Sequence, residues 1–287
     1  MTNNLIKESS KYSLIEIRNK QFQVIQMSEQ PQGPPKLPPR GPMFMRDEYQ
    51  NLIDEFTKDV KGQLKAEVKS LLLIGSVVTK EHIAGESDCD FLIVLKEKAS
   101  GEQLEKSMEK ISKVVYKYLE DPLYGSLLDV EVIGENDIPG KGESSDYSWT
   151  RAIVAQRGKA LIGENPFSKI DIKESDVKES AKEMAAGFLA QIEETFQLED
   201  IDDYDKLYLA VEAVLGCACA YLYYHGEREF YRSSAIILFE DKYKDKIKID
   251  PIQTSHRLRL AAKSVDTKNF DDKALNFCKE INKQISK

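Results

Sequence analysis

The rhythm of apolar and polar positions along the chain divides it into elements. From Asp47 the residues Tyr49, Leu52, Ile53, Phe56, Val60, Leu64 and Val68 recur at helical spacing, which predicts an amphipathic helix running toward the next element. Leu71, Leu72, Leu73 and Ile74 then form a continuous apolar run that stops at Gly75-Ser76, the pattern of a buried strand entering a sharp turn. A second run, Phe91 to Leu95, follows Ser87-Asp88-Cys89-Asp90. Residues 102 to 120 return to helical spacing with Leu104, Met108, Ile111, Val115 and Leu119, ending at Asp121-Pro122 where proline stops a helix. Leu127 to Ile133 alternates as a strand, 134–145 is loop-like, 146–157 reads as a helix closed by Gly158, and Lys159 to Ile162 as a short strand.

Past Asn165-Pro166 the periodicity is helical throughout. Ser175 is the expected N-cap of a helix over 176–198, and 204–224 is apolar nearly all round, as in the central helix of a bundle. Ser233 or Ser234 should cap a helix to about Lys244, Pro251 should start another, and Asp271 to Ile285 the last. No strand is expected from 171 onward. At the other end, 12–27 alternates on both sides of Asn19-Lys20 as a hairpin would, and 31–42 is proline-rich, an extended linker. The expected organisation is therefore 1–45 hairpin and linker, 46–170 an α+β domain with a mixed sheet flanked by helices, and 171–287 an all-α bundle.

Composition narrows the function. A chain of 287 residues, 41% hydrophobic and 31% charged, is that of a globular protein with a sizeable core. No apolar run is read as reaching the length of a membrane span, and the start of the chain lacks a signal-peptide core, so a cytoplasmic location is expected. The four cysteines, Cys89, Cys217, Cys219 and Cys278, lack zinc-site spacing. A net charge of −8 disfavours a long nucleic acid as partner, because phosphate binding needs basic surface.

Candidate chemistry gathers on the strands. If Asp88 and Asp90 open the Phe91 strand, the two-residue period puts both carboxylates on one face, with Cys89, Phe91 and Ile93 on the other. On the later strand Asp129 and Glu131 share a face while Leu128, Val130 and Val132 point to the core. Crowded carboxylates are unfavourable alone, and a divalent cation between them is the usual reason to keep them.

Gly75-Ser76, a spacer, Gly85, Ser87-Asp88-Cys89-Asp90 and a hydrophobic run resemble the signature of the polymerase-beta-type nucleotidyltransferase superfamily. The spacing from Gly75 to Asp88 (88 − 75 = 13) is similar to that of enzymes extending RNA 3′ ends, and Arg157 to Gly163 is similar to the piece that closes this domain. The helical half resembles, on helix pattern alone, the carboxy-terminal domain of kanamycin-type nucleotidyltransferases and HEPN-type bundles. An RNA-cleaving R-x4–6-H element is not evident in it. The resemblance implies Gly75 and Ser76 at the triphosphate and Asp88, Asp90 and Asp129 as catalytic metal ligands. The basic residue that many relatives place soon after Gly-Ser is absent here, so that phosphate contact is either missing or moved to Lys80. Glu131 competes with Asp129 for the third acid, and Asp129 is favoured because the family pattern is an Asp opening the apolar run. The implied cofactor is Mg²⁺ or Mn²⁺, with an NTP, ATP for preference, as substrate. The implied reaction moves an NMP to a hydroxyl of a small-molecule or protein acceptor. An RNA 3′ end and a non-catalytic nucleotide-binding or antitoxin-like module are the alternatives. Homodimer formation is left open, and no membrane partner is expected.

Overall fold

The apolar stripe that begins at Tyr49 folds as helix α1 (Phe44–Gln63) in the computed structural model, which describes residues 44–80, 82, 87–96, 102–141, 147–198, 200–228, 230, 234–259 and 267–286. The expected hairpin at 12–27 and the linker at 31–42 lie outside the described residues. α1 ends earlier than its stripe. The N–H groups of Leu64 and Val68 each reach back 2.9 Å, to the carbonyls of Val60 and Leu64, and Val68 already opens strand β1 (Val68–Ile74). Val68 fits both periods, and a β-branched residue at the boundary goes to the strand.

Four strands form one sheet. After β1 comes a short helix α2 (Gly75–Thr79), then β2 (Cys89–Leu95), helix α3 (Glu102–Leu119), β3 (Leu128–Gly134), helix α4 (Trp149–Gln156) and β4 (Lys159–Ile162). The strand order is β3-β2-β1-β4. β1 runs antiparallel to β2 and β4, whereas β2 and β3 are parallel. A parallel pair needs a crossover, and α3 supplies it.

One face of the sheet carries Leu71, Leu73, Cys89, Phe91, Ile93, Leu128 and Val130, all buried against Leu52, Phe56 and Val60 of α1 and Ile111, Val115 and Tyr118 of α3. Phe56 is the centre of this layer, with its ring 4.6 Å from Phe91 and 5.3 Å from Tyr118. Truncating such a ring to alanine costs about 3–5 kcal/mol, a large part of a domain's net stability. Leu72, Leu92, Val94 and Ile133, on the opposite face, are buried too. Cover on both faces explains why β1 and β2 read as unbroken apolar runs instead of alternating.

The chain divides into two compact units, one of residues 1–147 and 154–170, the other of 148–153 and 171–287. Among its described residues from 171 onward the second unit contains only helices, α5 (Glu174–Gln197), α6 (Asp203–Tyr224), α7 (Ala235–Lys242), α8 (Asp250–Arg259) and α9 (Phe270–Ile285). α6 is its axis, with Ala210, Ala213, Ala218, Cys217 and Leu222 fully buried. Small residues let neighbours approach: a Cβ added at Gly216 would lie 2.2 Å from the Phe188 ring of α5. Trp149 packs against this cluster as a core residue.

Two expectations are corrected here, and a third holds in position only. Ser175 does not cap α5, which starts at Glu174 after Lys173; its hydroxyl lies 3.1 Å from Asp176 instead. Ser234 holds the expected N-cap position of α7, without a side-chain capping bond. α6 is, by length and composition, apolar enough to cross a membrane, with a mean hydropathy of 1.5, although 72% of that stretch is buried inside the protein. The real cap of α6 is Asp202, whose carboxylate accepts from the N–H groups of Tyr204 and Asp205 at 2.8 and 2.9 Å.

Candidate active site

Strand register assembles the candidate site. Across the sheet, Asp129 of β3 is the partner of Asp90 of β2, and Asp90 is the partner of Ile74 of β1. Residues paired in register point to the same face, so the two carboxylates are neighbours on strands about 4.8 Å apart. Like charges in that position are destabilising, so the pairing asks for a chemical reason. Phe91 and Val130, one step along, are partners that both face the α1/α3 layer, which fixes the acids on the opposite face.

Gly75 completes the row. It takes φ +72°, and a Cβ there would fall 2.1 Å from Oδ2 of Asp90. Only a residue without a side chain allows the turn and the carboxylate to come so close. Ser76 follows within α2, where Thr79 Oγ1 donates to the Ser76 carbonyl at 3.1 Å. Lys80 closes α2 in a left-handed conformation, its N–H bonded to the Ser76 and Val77 carbonyls, with its side chain exposed.

Asp88 stands one residue before β2, half-buried. Its neighbours are held on both sides. The Tyr49 hydroxyl donates to the Ser87 carbonyl at 2.6 Å, and the Cys89 N–H donates to the Leu127 carbonyl at 2.6 Å. Cys89 is fully buried, and burial, then the charges of Asp90 and Asp88, push its thiol pKa far up. It is a packing residue, with no thiolate to act as nucleophile.

Glu131 is separated from Asp129 by the same register. Its partner on β2 is Leu92, two residues beyond Asp90, and the Tyr147 hydroxyl lies 3.4 Å from its Oε2. Tyr147 in turn packs on Phe167 with ring centroids 5.4 Å apart. Asp90, Asp129 and Gly75 are thus brought together, with Glu131 one step deeper along the strand.

Adjacent carboxylates facing a glycine offer oxygen donors of the kind that hard dications such as Mg²⁺ take. Among the described residues, no group of three or more His, Cys, Asp or Glu side chains is gathered closely enough to hold a metal ion. Sequence reasoning missed two residues. Tyr49 was read as one more apolar position of α1, and Tyr147 carried no signal at all.

Residues 53–131 match the model of the family described as nucleotidyltransferase domain. The match begins inside α1, takes in Gly75, Asp88, Asp90 and Asp129, and ends at Glu131. No curated protein matches the chain. By this match, its motif and its sheet, the first unit carries a nucleotidyltransferase domain consistent with the polymerase-beta type. The match stops before the helical unit.

Proposed function

We propose that the protein transfers a nucleoside monophosphate from an NTP to a hydroxyl group of a small-molecule or protein acceptor, in a reaction dependent on Mg²⁺ or Mn²⁺. The observation that carries this reading is the register pairing of Asp90 with Asp129 beside Gly75. Asp90 and Asp129, with Asp88 one residue before β2, would hold the cation only together with oxygens of the triphosphate, and it would offset triphosphate charge and favour the ionised form of the acceptor hydroxyl. Ser76 and the N–H groups at Gly75 would bind the β- and γ-phosphates, with Lys80 adding a positive charge. Asp129 would accept the proton of the acceptor hydroxyl as its oxygen attacks the α-phosphorus. The bond from the α-phosphorus to the bridging oxygen breaks, and pyrophosphate leaves with the electron pair.

The net charge of −8 supports a small or protein acceptor over a long RNA. The test incubates the protein with each of four NTPs labelled at the α-phosphate, Mg²⁺ and a cell extract. Label should enter one class of acceptor with wild type and not with Asp90→Asn. Equal labelling by both proteins, or none by either, overturns the proposal.

A further inference from the structure

We infer that the outer edge of β3 is a docking surface for the chain's own residues 21–27, which add to it as an antiparallel strand beside Asp129.

The hydrogen-bond phase of the sheet leaves that edge open. β3 is the outermost strand and pairs only with β2. The Cys89 N–H donates to the Leu127 carbonyl. Since every second residue of a strand turns its peptide groups to the same neighbour, residues 129, 131 and 133 bond inward to β2, while Leu128, Val130, Val132 and Gly134 turn theirs outward. At the two ends the outward N–H groups are taken locally, that of Leu128 by the Tyr124 carbonyl at 3.0 Å and that of Gly134 by the Asp137 carboxylate at 2.6 Å. Between them, the outward N–H and C=O groups of Val130 and Val132 have no hydrogen-bond partner among the described residues. Val130 is buried, and buried peptide groups are almost always paired. The opposite edge of the sheet is protected by other means: β4 has four residues and starts with an exposed lysine, Lys159. On the α3 side, the open rungs of β3 border an apolar groove lined by Met108, Ser112, Val115 and Tyr116 together with Val130 and Val132.

The occupant follows from the chain that precedes α1. In 21–27, Phe22 and Val24 alternate with Gln21 and Gln23, and no residue is charged. Added to β3, this pattern sets Phe22 and Val24 toward the groove and the two glutamines on the face of Asp129, where an amide donates to a carboxylate and adds no like charge. The connection is long enough. Near its start α1 lies at the Leu128 end of β3, because Tyr49 donates to the Ser87 carbonyl while Cys89, two residues on, is tied to Leu127. Residues 28–43 span roughly 50 Å when extended, against about 23 Å for the whole of β3. Antiparallel pairing brings Met27 to the Leu128 end, where the chain must go on to α1.

The experiment follows hydrogen exchange of the full chain, at single-residue resolution by fragmentation mass spectrometry, for wild type, Val24→Pro and Phe22→Asp. Proline supplies no N–H to an added strand, and aspartate puts a charge against an apolar groove. Both positions precede α1, so the cores of the two units keep their side chains. We expect the Val130 and Val132 amides to be protected in wild type and to exchange about tenfold faster or more in both variants, while the Glu131 amide, bonded inward, stays slow. Wild-type protection should be unchanged on dilution. Fast exchange at Val130 and Val132 in wild type overturns the inference. Protection that survives both substitutions means that something else covers the edge, and overturns it as well. Protection that is lost on dilution assigns the edge to a second copy of the chain, against docking within one molecule.

Discussion

The sheet unit and the helical unit each bury an apolar core, yet they treat polar groups in different ways. In the helical unit the side chains of Asn282 and Ser180 end on partners within the unit, while the buried Ser255 hydroxyl has none among the described residues. Asn282 donates to the carbonyls of Ala185 and Cys278 at 2.9 and 3.0 Å, and the Ser180 hydroxyl accepts from the Thr150 N–H at 3.2 Å. In the sheet unit two carboxylates stand in adjacent register, and a glycine with positive φ presses against one of them. Ser255 aside, the first arrangement follows the rule that buried polar groups are satisfied. The second breaks the rule against like charges side by side, in a domain that is otherwise well packed. Local violations inside a consistent fold are where function is expected. The comparison therefore supports the proposal that the chemistry lies on the sheet.

The strongest way to break that comparison is to neutralise the acids. Asp90→Asn and Asp129→Asn should each lower NMP transfer by about 10²-fold or more, the size seen when one group stabilising developing charge is lost. Without metal, Asp90→Asn should melt at or above the wild-type temperature, because the like-charge pairing with Asp129 is relieved. With Mg²⁺ and a non-hydrolysable NTP, only wild type should gain stability, since the ligands bind the native state. Glu131→Gln keeps its contact with Tyr147 and should reduce transfer by less than about tenfold, below the loss expected of a metal ligand. A larger loss for Glu131→Gln than for Asp129→Asn would exchange their roles. Thermal melts paired with initial rates read all of these.

Two glycines sharpen the contrast at the next level. Gly75→Ala puts a Cβ against Asp90 and a side chain at φ +72°. The backbone penalty is about 1–2 kcal/mol, and displacing the carboxylate by an ångström should cost about 10²-fold in rate. Gly216→Val presses on the Phe188 ring from within α6. Overpacking there should cost about 1–3 kcal/mol, with the rate per folded molecule unchanged. A rate loss in Gly216→Val as large as in Gly75→Ala would mean that the bundle takes part in the chemistry.

The smallest expected effect is on pH dependence, and it separates the units by window. Burial, then the charges of Lys246 and Lys178, hold the pKa of His225 below the ordinary 6.5, against the opposing charge of Glu227. The rings of Tyr221, Tyr224 and Tyr243 also face it. Protonation thus favours the unfolded state, so its contribution is complete above 6.5 and is lost as pH falls through the lowered folded-state value. In the sheet unit, the hydrogen bond from Lys117, then that from Tyr118, hold the pKa of Asp59 below the ordinary 3.8, against the effect of burial. Its contribution persists down to that value and is lost only as pH falls through the lowered one. Hydrogen exchange read by mass spectrometry at about pH 7 and pH 5 should therefore show α6 and α7 loosening slightly while β1 and β2 do not. His225→Gln should flatten the difference. Exchange that quickens equally in both units would refute the assignment.

The sequence determined the elements that are long and periodic. The stripes of α1 and α3, the apolar runs of β1 and β2, and the acid motif at Asp88 to Asp90 are local patterns. Local patterns are imposed by side-chain period and turn chemistry, which a linear chain displays. Even the correct face for Asp129 followed from alternation with Leu128 and Val130. What the sequence left open was decided across the sheet. Asp129 and Glu131 have the same alternation and the same charge, so only the resemblance, with its Asp opening the apolar run, favours Asp129 in the sequence. Only the parallel register with β2 puts Asp129 opposite Asp90 and Glu131 opposite Leu92. The same holds for Tyr49, whose place in an apolar stripe was legible while the destination of its hydroxyl, 38 residues away, was not. A hydrogen bond between distant segments depends on how helices and strands are stacked, and that geometry exists only once the chain has folded.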